Sequence, residues 1–197
     1  HWSANFLPDL MEKLPDVKFV NGSKCVDYKR MVKDDREQQL MIEASRINDQ
    51  AIHEVIHQVS LGLSELEVAA KLGDIYSKFG GEGNSFDAII AYGANGANPH
   101  HENDASCLKP GDSIIIDMGC KYQGYCSDMT RTVFYKEVSQ EAKEVYELVK
   151  AANEAAEAMI KPGVRLCDID KTARDLITKA GYGKEFNHRL GHFIGKD

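Results

Sequence analysis

No apolar stretch in this 197-residue chain approaches the ~20 residues of a membrane-spanning helix. The N-terminus HWSANFLPDL also lacks a basic segment followed by an apolar one, so neither a bilayer span nor a signal peptide is expected. Positive charge is not in excess: 24 Lys and Arg stand against 31 Asp and Glu, for a net charge of -7 and a pI near 5.5. That balance argues against nucleic acid or an anionic membrane as the main partner. Cysteine is sparse and odd in number, five residues at irregular spacing, which fits reduced thiols in the cytoplasm better than a disulfide framework. Cys120 and Cys126 read as half-buried packing residues rather than a redox pair. What is present, 43% apolar and 28% charged residues, is the composition of one soluble globular domain with a sizeable core. The chain opens on His and stops at GHFIGKD, which reads as a piece of something longer.

Residues 1–33, interrupted by Pro8, Pro15 and Gly22, have no sustained periodicity and read as a lead-in segment or the end of an N-terminal domain. A domain over 34–197 follows. Leu40, Met41, Ala44, Ile47, Ala51, Val55, Ile56 and Val59 recur at helical spacing, and a second helix opens at Ser64 in SELE. FDAIIAY reads as a strand and GANGANPHHEN as a loop. Helices are expected again near 140–160 and 168–180. LSELEVAA (63–70) and LCDIDKTA (166–173) align at an offset of 103, which suggests an internal repeat of helix, connection, helix and strand.

The stretch IIIDMGCKYQGYCSDMTRTVF (114–134) places an acid in each of two β-forming runs. If Cys120 faces Tyr125 across the loop KYQG, Asp117 falls directly opposite Asp128. Opposed like charges destabilise a sheet and press one carboxylate toward protonation unless a cation lies between them. A divalent metal is the simplest remedy, and pairing with Arg131 is the alternative. His100, His188 and His192 are further candidate ligands, giving a mixed oxygen and nitrogen set suited to Mn, Co, Fe or Zn. His101, a single loop histidine, reads as a surface residue.

GANGANPHH, GDSIIIDMGCKYQGYCSDMTRT and HRLGHFIG, in this order, resemble the metallopeptidases of the pita-bread fold: methionine aminopeptidase, aminopeptidase P and Xaa-Pro dipeptidase. Pro99 before His100 and the opening KDDREQQLMIEASRI resemble the proline-specific branch. The resemblance implies an α+β pita-bread fold with an internal pseudo-twofold repeat, an antiparallel curved sheet covered by helices, incomplete at the C-terminus. It implies two divalent ions, manganese foremost with cobalt, zinc or iron as alternatives. Asp117 would chelate one ion, Asp128 bridge both, and His192 bind the other. His100 and His188 would act in catalysis by holding the substrate, a short peptide with proline in second position, while a metal-bridging hydroxide attacks the scissile carbonyl. A homodimer is expected.

The family's other two ligands are glutamates that would follow residue 197, so the 197 residues alone are expected to be inactive. Two other readings use the same fold: a non-catalytic binding module and a creatinase-like, metal-free hydrolase. The retained acids count against both. His53-Glu54-Val55-Ile56-His57 matches the zinc signature H-E-x-x-H, but its helix stripe centres near Val55 and turns both histidines toward solvent.

Overall fold

The computed structural model describes residues 5–196, and the chain divides into two compact units, His1–Asp34 and Asp35–Asp197. The first unit carries two short helices, α1 (Phe6–Lys13) and α2 (Ser23–Met31), where the sequence pattern suggested none. Pro8 falls in the first turn of α1, where a missing N–H costs little. Asn21 Oδ1 accepts a hydrogen bond from the Ser23 backbone N–H at 2.9 Å, beside the start of α2.

In the second unit, α3 (Asp35–Ser60) buries Ala44, Ile47, Ala51, Ile52, Val55 and Val59, a stripe at helical spacing. Its neighbour α4 (Glu65–Lys78) starts at a capping box, with Ser64 Oγ accepting from Glu67 N–H and Glu67 accepting from Ser64 N–H. Both helices pack on a three-stranded antiparallel sheet in the order β1 (Ile89–Tyr92), β2 (Ser113–Met118), β5 (Met129–Phe134). Between β2 and β5 the hairpin tip carries β3 (Lys121–Tyr122) and β4 (Tyr125–Cys126).

Period-two alternation answers why an acid follows three isoleucines. Ile114, Ile116 and Met118 are buried against α3 and α4, whereas Ile115 and Asp117 point to the opposite face. A buried node fixes the end of β2 beside Asp117. Asn48 of α3 donates to the Met118 carbonyl at 3.0 Å and accepts from the Tyr76 hydroxyl at 2.9 Å. Burial pushes the Tyr76 phenol upward, so it remains a donor.

The expected register is corrected. Gln123 and Gly124 both have positive φ and make a two-residue turn in place of the four-residue loop KYQG, so Tyr122 faces Tyr125 and Asp117 faces Thr130. A slip of two residues keeps each side chain on its face. Both acids therefore remain on one side without opposing each other directly.

The helices α5 (Gln140–Glu157) and α6 (Leu166–Lys179) pack on each other through Ala152, Ala156, Ala173 and Ile177, with Ile169, Phe186 and Leu190 added. A helix pair thus occurs twice, but not in the register of the 103-residue alignment: α6 opens at Leu166, whose partner Leu63 lies two residues before α4 opens. Among the described residues, the stretch after α6 forms no strand, which corrects the expected fourth element of the second repeat. Cys126 N–H donates to the Gly195 carbonyl at 2.7 Å and ties that stretch to the hairpin tip. No helix among the described residues is long and apolar enough to cross a membrane.

Candidate metal centre

The outer face of the sheet floors a cavity of about 710 Å³. Ile89, Ala91, Ile115, Asp117, Asp128 and Thr130 form the floor. Asn98 and Pro99 line one wall, and residues 185–192 line another. Gly119 is required beside the acids. A Cβ there would collide with the Ser127 carbonyl and the Ser85 hydroxyl, which meet each other at 2.9 Å across the crossing of the hairpin.

Asp117 lies between its neighbours on β1 and β5, and its Oδ1 accepts from the Thr130 hydroxyl at 2.8 Å. Burial raises its carboxyl above the ordinary range; Asp128 adds to the rise, while the Thr130 hydrogen bond and His192 oppose it. Arg131 turns its guanidinium to the Thr130 carbonyl at 2.9 Å, not to either acid. The alternative pairing raised by the sequence is not formed.

His192 Nε2 lies 3.2 Å from Asp128 Oδ2, and His192 Nδ1 lies 2.8 Å from the Phe193 carbonyl oxygen. A carbonyl oxygen only accepts, so Nδ1 carries the proton. In the neutral ring, Nε2 then turns a lone pair toward a carboxylate. Two acceptors at that distance require a proton or a cation between them. A backbone carbonyl on the far nitrogen is the usual support of a metal-bound imidazole, so this donor set fits a divalent ion.

His188 lines the cavity, with Nδ1 2.9 Å from the Arg189 carbonyl. His100 meets it edge to face, ring centroids 5.6 Å apart. The two histidines expected to hold substrate are thus neighbours, although they lie 88 positions apart in the chain. The other zinc-like motif is not part of this group. His53 and His57 are exposed on α3, and Glu54 is taken by Lys78 at 3.2 Å and Gln58 at 3.1 Å.

Two supports escaped the sequence reading. On α6, Asp170 accepts from Leu190 N–H at 3.0 Å while Arg174 donates to the carbonyls of Phe186 at 2.7 Å and His188 at 3.0 Å. The pair, itself joined at 2.9 Å, clamps the segment that bears His188. An i, i+4 acid and base was visible in the sequence, but not the loop it would hold. The second is His101. Its side chain is 11% exposed and lies 2.6 Å from fully buried Glu65, which corrects its reading as a surface residue. Glu65, His101 and Asp104 form the one trio among the described residues whose ligand atoms all lie within 4.8 Å of one another.

The family model of metallopeptidase family M24 matches residues 39–197. The chain is 35% identical over 190 residues to a Xaa-Pro dipeptidase of Pyrococcus horikoshii, covering 96% of this chain and 54% of that protein. It superposes on an X-Pro aminopeptidase from Thermotoga maritima with a TM-score of 0.88 at 38% identity, over 99% of this chain and 55% of that one. With a prolidase from Pyrococcus horikoshii the TM-score is 0.94 at 34% identity, over 100% and 56% of the two chains. The chain spans about half the length of the relatives it matches.

Proposed function

Because the chain belongs to metallopeptidase family M24, we propose that the full-length protein is a metal-dependent exopeptidase of the Xaa-Pro dipeptidase or aminopeptidase P type. It would cleave the bond between an N-terminal residue and a following proline. Its fold is the α+β pita-bread arrangement of the prolidases on which it superposes. The observation that carries the reading is the approach of His192 Nε2 to Asp128 Oδ2 at 3.2 Å, in the cavity that Asp117 also faces. Asp117 would hold one ion, His192 the other, and Asp128 both; Asp117 and His192 then need not converge.

The ions, when bound, supply Lewis acidity that lowers the pKa of water and draws charge from the scissile carbonyl. Thr130 orients the Asp117 carboxylate through its hydroxyl. The Phe193 carbonyl keeps the His192 proton on Nδ1 and so leaves Nε2 free to ligate. His100 and His188, edge to face, would hydrogen-bond the peptide and steady its carbonyl oxygen as charge develops there. A non-catalytic module or a metal-free hydrolase of this fold has no use for paired acids facing a histidine acceptor.

The protein would work as a cytoplasmic homodimer with manganese, and the 197 residues alone would be inactive. The test is hydrolysis of Ala-Pro and Ala-Ala, and of longer peptides that begin with the same pairs, by the full-length protein after chelation and again after adding Mn²⁺. Cleavage of one or both Ala-Pro substrates and of neither Ala-Ala one, lost on chelation and restored by the ion, is the expected result. Equal cleavage of both dipeptides, or activity indifferent to chelation, would overturn the reading.

A further inference from the structure

Glu65, the first residue of α4, is fully buried, yet nothing in the proposed chemistry uses it. Its carboxylate is saturated. Oε1 accepts from Tyr92 N–H at 2.7 Å and from Asn95 Nδ2 at 2.9 Å. Oε2 accepts from Asp104 N–H at 3.1 Å and lies 2.6 Å from His101 Nε2, which must therefore be the protonated nitrogen. Four donors and a helix N-terminus compensate a charge that burial alone would penalise heavily. With those bonds made, the trio of Glu65, His101 and Asp104 has no carboxylate lone pair of Glu65 left for an ion, and we read it as a hydrogen-bond node.

All four donors belong to the segment from Tyr92 to Asp104, which leaves β1 and returns to α4. The helix answers the end of that segment and the residues just after it with its own first N–H groups: Leu66 donates to the Asp104 carbonyl at 3.1 Å and Glu65 to the Ser106 carbonyl at 3.2 Å. Asn103 adds a further tie, accepting from Ile90 N–H at 2.7 Å and donating to the Ala88 carbonyl at 2.7 Å. Between the anchors at Asn95 and His101 lies the short arch of Asn98, Pro99 and His100. Asn98 and Pro99 line the cavity and His100 meets His188. Within the arch, Asn98 Oδ1 accepts from His100 N–H at 3.0 Å, and His101 N–H donates to the Asn98 carbonyl at 3.1 Å.

We propose that the Glu65–His101 pair is a positioning latch that holds the 98–100 arch, and with it the His100 ring, against the cavity. His101 acts through its neighbour and touches no substrate. The inference rests on the functional reading above. Its signature is a loss in kcat rather than in KM, because a displaced arch mainly weakens contacts that tighten at the transition state.

The experiment uses the full-length, Mn-loaded protein with Ala-Pro as substrate. His101→Ala is expected to lower kcat about 100-fold, the scale of a misplacement near 1 Å, with KM and Mn content near wild type. Deuterium exchange of the 94–104 amides should rise at the same time. His101→Gln should restore most of kcat, since its amide nitrogen can stand where Nε2 stood and donate to Glu65. Wild-type kcat in His101→Ala, or unchanged exchange over 94–104 in that variant, would overturn the latch. So would a Gln variant no better than Ala. Failure of the wild type to hydrolyse both Ala-Pro and a longer peptide that begins Ala-Pro would instead overturn the functional reading, and the latch would then stand or fall on the exchange measurement.

Discussion

Asp128→Asn in the full-length protein is expected to abolish divalent metal binding and to lower Xaa-Pro hydrolysis by roughly 1,000-fold or more, at least the cost of losing one strong transition-state stabiliser. Asp128 Oδ2 lies 3.2 Å from His192 Nε2. As a carboxylate, Asp128 faces another acceptor and needs a proton or a cation between them. As a carboxamide, the same position presents an N–H donor that the imidazole lone pair can accept, so the metal-free fold should lose no stability. A thermal melt at or above that of the metal-free wild type, with no bound Mn by elemental analysis, would separate loss of a ligand from loss of structure. Activity within a few-fold of wild type would contradict the assignment of Asp128.

The second large effect is a contrast between two histidine sets. His192→Ala should remove activity on the same scale, because it deletes an imidazole that the Phe193 carbonyl holds in the ligating tautomer. His53→Ala with His57→Ala should leave kcat/KM within about two-fold, as expected for surface changes away from a site. Both are exposed on α3, with Glu54 between them paired to Lys78 at 3.2 Å. Steady-state kinetics of the two variants side by side gives the ranking. The reverse order would move the chemistry to the H-E-x-x-H helix.

Much of this is legible in the amino-acid sequence, for physical reasons. Helical periodicity placed α3 on its buried face, and Ser64 with Glu67 announced the start of α4, because capping and amphipathic spacing are local. The strands were legible as β-formers, but their register was not. It depends on whether Gln123 and Gly124 adopt positive φ, and Gln is an unusual residue for that turn. The acids were recognised while their direct opposition was wrong, because a two-residue slip preserves the face. Long-range partners were the least legible. Nothing in the local pattern of Glu65 indicates that its carboxylate will gather Tyr92, Asn95, His101 and Asp104. A loop histidine beside another looks exposed until the helix end it covers is known. The helices α1 and α2 were missed for different reasons: α2 carries little apolar stripe, whereas Phe6, Leu7, Leu10 and Met11 of α1 recur at helical spacing, but over only eight residues.

The central claim, two ions held by Asp117, Asp128 and His192, is tested most directly by anomalous diffraction at the manganese edge on crystals of the full-length protein soaked in Mn²⁺. The account predicts two peaks in the cavity, one between Asp117 and Asp128 and the other between Asp128 and His192, with none at Glu65. An empty cavity, or a single peak among Glu65, His101 and Asp104, would contradict it.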